Sequence, residues 1–160
     1  MIMMDGTRYD AISQVDFYQE LKKDAVFFSN LITYAPYTLG SLHALFSGMN
    51  GNENGVNGYY KSYSFDKKNC FTLTQYLMKA SYHTEGDFLA EDIAPHQGFN
   101  KFRTHNEFKD DLLLRHSEIL QQIKEKEPFF LFLHYTRIHT NLVTNVAKKY
   151  SDFDDEYFSN

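Results

Sequence analysis

Apolar positions along the chain fall into two periods. The strongest signal is P-F-F-L-F-L-H-Y, Pro128 to Tyr135, an unbroken apolar run after Glu127. A run without alternation predicts a strand buried on both faces, hence a central place in a parallel sheet. Met1 to Met4 is a shorter apolar run stopped by Asp5-Gly6, and predicts a strand ending in a carboxylate. Ala25 to Thr33, A-V-F-F-S-N-L-I-T, is rich in β-formers and predicts a strand feeding the turn at Pro36; Tyr82 to Leu89 predicts a further extended segment. Helical spacing recurs at Ile12, Val15, Phe17, Tyr18 and Leu21 within Ala11 to Lys23, at Leu42, Leu45 and Phe46 before Gly48, and at Leu73, Tyr76, Leu77 and Ala80. Asn106 to Lys126 predicts a polar helix with Leu112, Leu113, Ile119, Leu120 and Ile123 inward. Asn50 to Gly58, dominated by Gly and Asn, predicts an irregular loop. Strands alternating with helices make the class α/β, a mostly parallel central sheet flanked by helices.

Two strands are thus expected to bring Asp5 and Thr38 to one edge. Ligands in open α/β sheets sit at the carboxyl ends of strands, so Asp5 would face a crevice; an ordinary Asp-Gly turn is the alternative. Thr38 stands at a helix N-terminus, where free N–H groups and the helix dipole stabilise a phosphate or sulfate, although Thr is also a common N-cap. Asp10 reads as an N-cap. His134 and His139 follow the central strand, at a spacing that puts them on one face of neither a helix nor a strand. Arg137 is an anion-binding candidate, with a surface salt bridge as its alternative. His83 and His96 read as surface or packing residues, and Asp152, Asp154, Asp155 and Glu156 as a solvated run lacking the glycine of a calcium loop.

T-L-G-S-L-H-A-L-F-S-G resembles the nucleophile segment of the sulfatase branch of the alkaline-phosphatase-like superfamily, in which a Cys, Ser or Thr is followed by x-Pro-Ser, a small/apolar helix and a closing Gly. Thr38 falls on the nucleophile, Ser41 on the serine and Gly48 on the glycine. Gly40 replaces the proline, and Leu42 stands where formylglycine-forming members carry an arginine. Thr38 itself cannot become formylglycine; the Thr form is that of relatives that transfer or hydrolyse phosphoryl groups. Asp5, in D-x-x-R-x-D, matches a metal ligand, with Gly6 where many members have a second Asp. Gly55-Val56, T-L-T-Q-Y-L-M-K-A-S-Y-H-T, and Gly98-Phe99 with Phe102 resemble framework segments. H-Y-T-R-I-H-T-N resembles the strand end H-x-x-x-P-H-x-P, whose last His, here His139, donates to the ester oxygen or leaving group; Ile138 and Asn141 replace its prolines.

The resemblance implies a metal-dependent sulfatase-like hydrolase or phosphoryl transferase acting on sulfate or phosphate esters. Thr38 and His139 would be catalytic, His134, Arg137 and Ser41 would bind substrate, and Asp5 with Thr38 would hold a divalent cation, Ca, Mg, Mn or Zn. The family completes its metal site with an Asp-His pair, and no Asp-His dipeptide occurs in the chain. The resemblance therefore covers the N-terminal half of the catalytic domain, and residues 1–160 are expected to be a single partial domain, incomplete for catalysis and prone to self-association or to pairing with a C-terminal half. The alternative is a non-catalytic truncated remnant or interaction domain of the same fold.

Composition agrees with one packed domain: 160 residues, 42% hydrophobic, 17% aromatic. The 16 basic and 21 acidic residues leave a net charge of -5, which disfavours nucleic acid and requires a local device to bind any anionic ester. The single Cys70 excludes an internal disulfide. The longest apolar run, Phe129 to Leu133, falls far short of the roughly 18 residues of a membrane span, and Met1 to Met4 is too short for a signal peptide, leaving the compartment open.

Overall fold

The computed structural model describes residues 1–139 and Asn145. Chain order is β1 (Ile2–Met4), α1 (Tyr9–Ile12), α2 (Asp16–Lys23), α3 (Thr38–Ser47), α4 (Gly51–Asn54), α5 (Leu73–Lys79), β2 (His83–Phe88), β3 (Lys101–Thr104), α6 (Leu112–Ile123) and β4 (Phe129–Tyr135). The strands form one sheet in the order β1-β4-β2-β3, and every pair is parallel.

The apolar run takes the central place expected of it. β4 pairs with β1, Ile2 opposite Leu133, and with β2, Asp87 opposite Leu133. Successive β4 side chains serve opposite faces. Phe132 packs with Leu42 and Phe46 of α3 and with Phe88 of β2, while Leu131 and Leu133 pack with Ile119 and Ile123 of α6. Phe88 stacks on Phe102 at 4.3 Å and on Phe132 at 4.9 Å, so an aromatic row crosses three strands. The fully buried Phe88 and Phe132 rings each contribute about 1.5–3 kcal/mol.

Several expectations are corrected. Ala25 to Thr33 forms no strand, and Val26, Leu31 and Ile32 are 83%, 84% and 90% exposed. β propensity is realised only against a partner strand, and this segment pairs with none. Thr38 is accordingly delivered by α3 rather than by a second strand. Ala11 to Lys23 divides into α1 and α2, and the supposedly irregular Asn50 to Gly58 contains α4, closed by a reciprocal capping box between Asn50 and Glu53. The Asn106 to Lys126 helix is confined to α6, where Asp111 accepts bonds from Leu113 N and Leu114 N. Its inward stripe is Leu112, His116, Ile119 and Ile123, whereas Leu113 is 75% and Leu120 49% exposed. β3, with Lys101 and Arg103 alternating against Phe102, is a strand the apolar pattern does not signal.

No described helix is long and apolar enough to cross a membrane. Asn141, most of Val143 to Tyr150 and the acidic cluster from Asp152 to Glu156 lie outside the described residues.

Candidate functional site

β1 ends by pairing: Asp5 N donates to Tyr135 O at 2.8 Å, which fixes Asp5 at the carboxyl end of the sheet. Thr38 is the first residue of α3. Tyr37 precedes it as the N-cap residue and provides no side-chain cap, so Thr38 is not the cap itself and the first N–H groups of the helix stay open. Thr38 Oγ1 donates a 2.6 Å hydrogen bond to Asp5 Oδ2. At position 40 a Cβ would lie 2.7 Å from the Tyr37 ring, which explains glycine where the resembling motif has proline.

His134, on β4, is fully buried behind this pair, with Nε2 3.8 Å from Asp5 Oδ2 and neither ring nitrogen hydrogen-bonded. The His134 imidazole holds the Asp5 carboxyl below its ordinary range; partial burial opposes this, and the Thr38 hydrogen bond and the charges of His134 and His139 add to it. Asp5 is therefore ionised at neutral pH and a weak base.

Two cavities open onto the Asp5–Thr38 pair. One, about 560 Å³, is lined by Asp5, Gly6, Thr38, Ser41, Tyr59 and His139 among others. The second, about 270 Å³, adds Tyr60, Asp92, Ile93 and Thr136 to Asp5, Thr38 and His139. Gly6 makes the approach of His139 possible: its φ is +72°, and a Cβ there would lie 2.6 Å from His139 Cβ. The imidazole side of His139 thus occupies space that a second Asp at position 6 would claim.

The structure brings Asp5, Thr38 and His139 together and places His134 behind them. Ser41 lines the larger cavity, but its hydroxyl donates to Ala35 O at 2.8 Å and lies 2.8 Å from Thr33 Oγ1, holding the loop before α3. Arg137 donates to Glu107 O at 3.2 Å and lines neither cavity. Sequence reasoning missed Tyr37, Tyr59 and Tyr60, the first two with ring centroids 5.4 Å apart at the rim. It also missed Asp87, His105 and His116, a buried cluster elsewhere in the fold whose nitrogen and oxygen atoms lie within 4.8 Å of one another. Asp87 was open to the same strand-end argument as Asp5, since it lies near the carboxyl end of β2.

The Asp5 site suits a divalent cation in its chemistry: one ionised carboxylate, one hydroxyl, and a buried imidazole with unpartnered nitrogens. Gly6 adds no donor side chain.

A protein-family model described as Sulfatase matches residues 1–159. No curated protein and no solved structure matches the chain.

Proposed function

Since the chain belongs to the sulfatase family, we propose that its Asp5–Thr38 centre transfers the phosphoryl or sulfuryl group of an ester to Thr38 and then to water or an acceptor hydroxyl. The observation that carries this reading is the 2.6 Å hydrogen bond from Thr38 Oγ1 to Asp5 Oδ2 at the open start of α3. Family members are generally metal-dependent, and Asp5 and Thr38 would hold the cation here. A bound divalent cation supplies the acidity that makes a Thr hydroxyl a usable nucleophile at neutral pH.

The chain's own groups divide the remaining work. Asp5 orients Oγ1 toward the cavity. The first N–H groups of α3 point to where the non-bridging oxygens gather charge. The Thr38 hydroxyl would lose its proton to solvent when acidified by the cation, Oγ1 forms the new bond to phosphorus or sulfur, the ester bond breaks, and His139 gives the leaving oxygen its proton. Ser41 serves the substrate side through the loop it holds and His134 through Asp5, whereas Arg137, bonded to Glu107 O and lining neither cavity, has no contact with the ester. Thr38 cannot take the formylglycine route, which favours phosphate esters.

A second reading, a non-catalytic interaction domain, draws on the exposed apolar stretch through Leu31 and Ile32 beside the edge strand β1. Its partner would be another copy of the chain or a C-terminal half.

The test is hydrolysis of p-nitrophenyl sulfate, p-nitrophenyl phosphate and bis(p-nitrophenyl) phosphate with Mg, Mn, Ca or Zn, beside Thr38→Ala. Metal-dependent turnover that vanishes in Thr38→Ala supports the enzyme. A folded chain that turns over none of the three sinks it in favour of the second reading.

A further inference from the structure

We propose that Asp87, His105 and His116 form a separate, structural metal site of the zinc class, joining β2, the exit of β3 and α6. The cluster lies on the α6 face of the sheet: Asp87 sits opposite Leu133, which packs against α6, whereas His134 points to the other face. It is therefore independent of the Asp5–Thr38 centre.

The geometry is close to that of a coordination shell, with the three ligand atoms within 4.8 Å of one another. His116 Nε2 lies 3.0 Å and His105 Nδ1 3.2 Å from the same oxygen, Asp87 Oδ2. With metal–nitrogen and metal–oxygen bonds of about 2.0–2.2 Å, neighbouring ligand atoms of a tetrahedral site stand roughly 3.3 Å apart, so small shifts admit the ion. The side chains of Asp87, His105 and His116 are 0%, 0% and 4% exposed, so this is not a chance grouping of surface acids.

Without a cation, Asp87 Oδ2 must accept from His105, His116 and Arg115 Nε at once, the last at 2.8 Å. Three donors exceed the two lone pairs of one oxygen. The far ring nitrogens, His105 Nε2 and His116 Nδ1, have no hydrogen-bond partner, so no protein group fixes a tautomer that would withhold the near lone pairs from a metal. Arg115 Nη2 bonds Asp87 Oδ1 at 2.9 Å and Thr104 O at 3.0 Å, aiming the carboxylate as outer-shell partners do. Arg115 is also 3.9 Å from Asp110, which offsets part of its charge.

Two imidazoles and one carboxylate select zinc, or another transition metal that favours nitrogen, over calcium and magnesium, which take oxygen shells. Burial leaves no path for a substrate. The site's effect is to hold together three elements that the chain separates.

The test strips the chain with EDTA, titrates ZnCl2 by calorimetry, measures retained zinc by elemental analysis, and follows thermal unfolding. One equivalent of zinc that raises Tm, persists in Asp5→Asn and Thr38→Ala, and is lost in His105→Ala and His116→Ala supports the site. Cobalt(II) provides a check that needs no variant, since a four-coordinate nitrogen/oxygen site gives intense visible bands absent from aqueous cobalt. An unchanged Tm with no bound zinc, a zinc equivalent lost only in Asp5→Asn, or cobalt bands no stronger than those in water would overturn it.

Discussion

Gly6 and His139 occupy one another's side-chain space. At Gly6 the backbone is left-handed, with φ +72°, and an added Cβ would meet His139 Cβ at 2.6 Å. Gly6→Ala therefore combines backbone strain with a displaced His139. We expect a loss of about 1–3 kcal/mol in urea unfolding at unchanged m-value, with reduced ester turnover.

The hydroxyl, rather than the shape, of residue 38 should matter. Thr38→Ser keeps the bond to Asp5 Oδ2 and should keep turnover, whereas the near-isosteric Thr38→Val should remove turnover while leaving the thermal midpoint within a few degrees. Equal turnover in Val and Ser variants, measured by release of p-nitrophenol, would contradict a nucleophilic Thr38.

His43 lies on the buried face of α3, Nδ1 donating to Leu39 O at 2.8 Å, and burial pushes its pKa below the ordinary histidine value. The unfolded chain then binds a proton that the folded chain resists, so stability from neutral His43 is complete above about pH 6.5 and declines as pH falls below that value. His43→Asn should flatten this part of the profile. Urea midpoints at pH 7 and pH 5.5, compared between wild type and variant, measure the difference.

Leu112 and Leu113 separate two registers of α6. Leu112→Ala should cost about 2–5 kcal/mol, since Leu112 is buried, and Leu113→Ala about 0.5 kcal/mol or less, since Leu113 faces solvent. Chemical denaturation of both variants provides the comparison, and equal losses would contradict the inward stripe.

Leu31 and Ile32 are the most exposed large aliphatic residues of the segment before α3. On the interaction-domain reading, copies of the chain associate through this stretch, and Leu31→Lys with Ile32→Lys should then reduce that association. Sedimentation velocity across concentrations would register this as a smaller concentration dependence than in wild type.

Much of the sheet was legible because burial on two faces removes alternation: β4 announced its central place through Phe129 to Leu133. Asp5 was legible as a strand end and Thr38 as a helix start, because both rest on local chain chemistry. The segment at Ala25 to Thr33 misled because its residues favour a strand that nothing pairs with. α6 was misread by one position, since Leu113 and Leu120 each follow a buried neighbour, Leu112 and Ile119. Asp87 could have been read as a strand end, but its grouping with His105 and His116 was invisible because only packing of separate elements brings the three together. The exchange between Gly6 and His139 likewise appears only when the end of β1 meets the chain leaving β4.

The pairing of β4 with β1 sets Met3 opposite His134 and Met4 opposite Tyr135. In a strand, a slip of one residue turns every side chain to the other face. Such a slip would swing the His134 imidazole toward α6 and bring the Tyr135 phenol to Asp5, replacing a ring nitrogen behind the carboxylate with a weak acid. The loop between α6 and β4 is thus a spacer whose length encodes which chemistry stands behind Asp5, and a single-residue deletion there, drawing Tyr135 into the place of His134, would rewrite the centre without altering one of its residues.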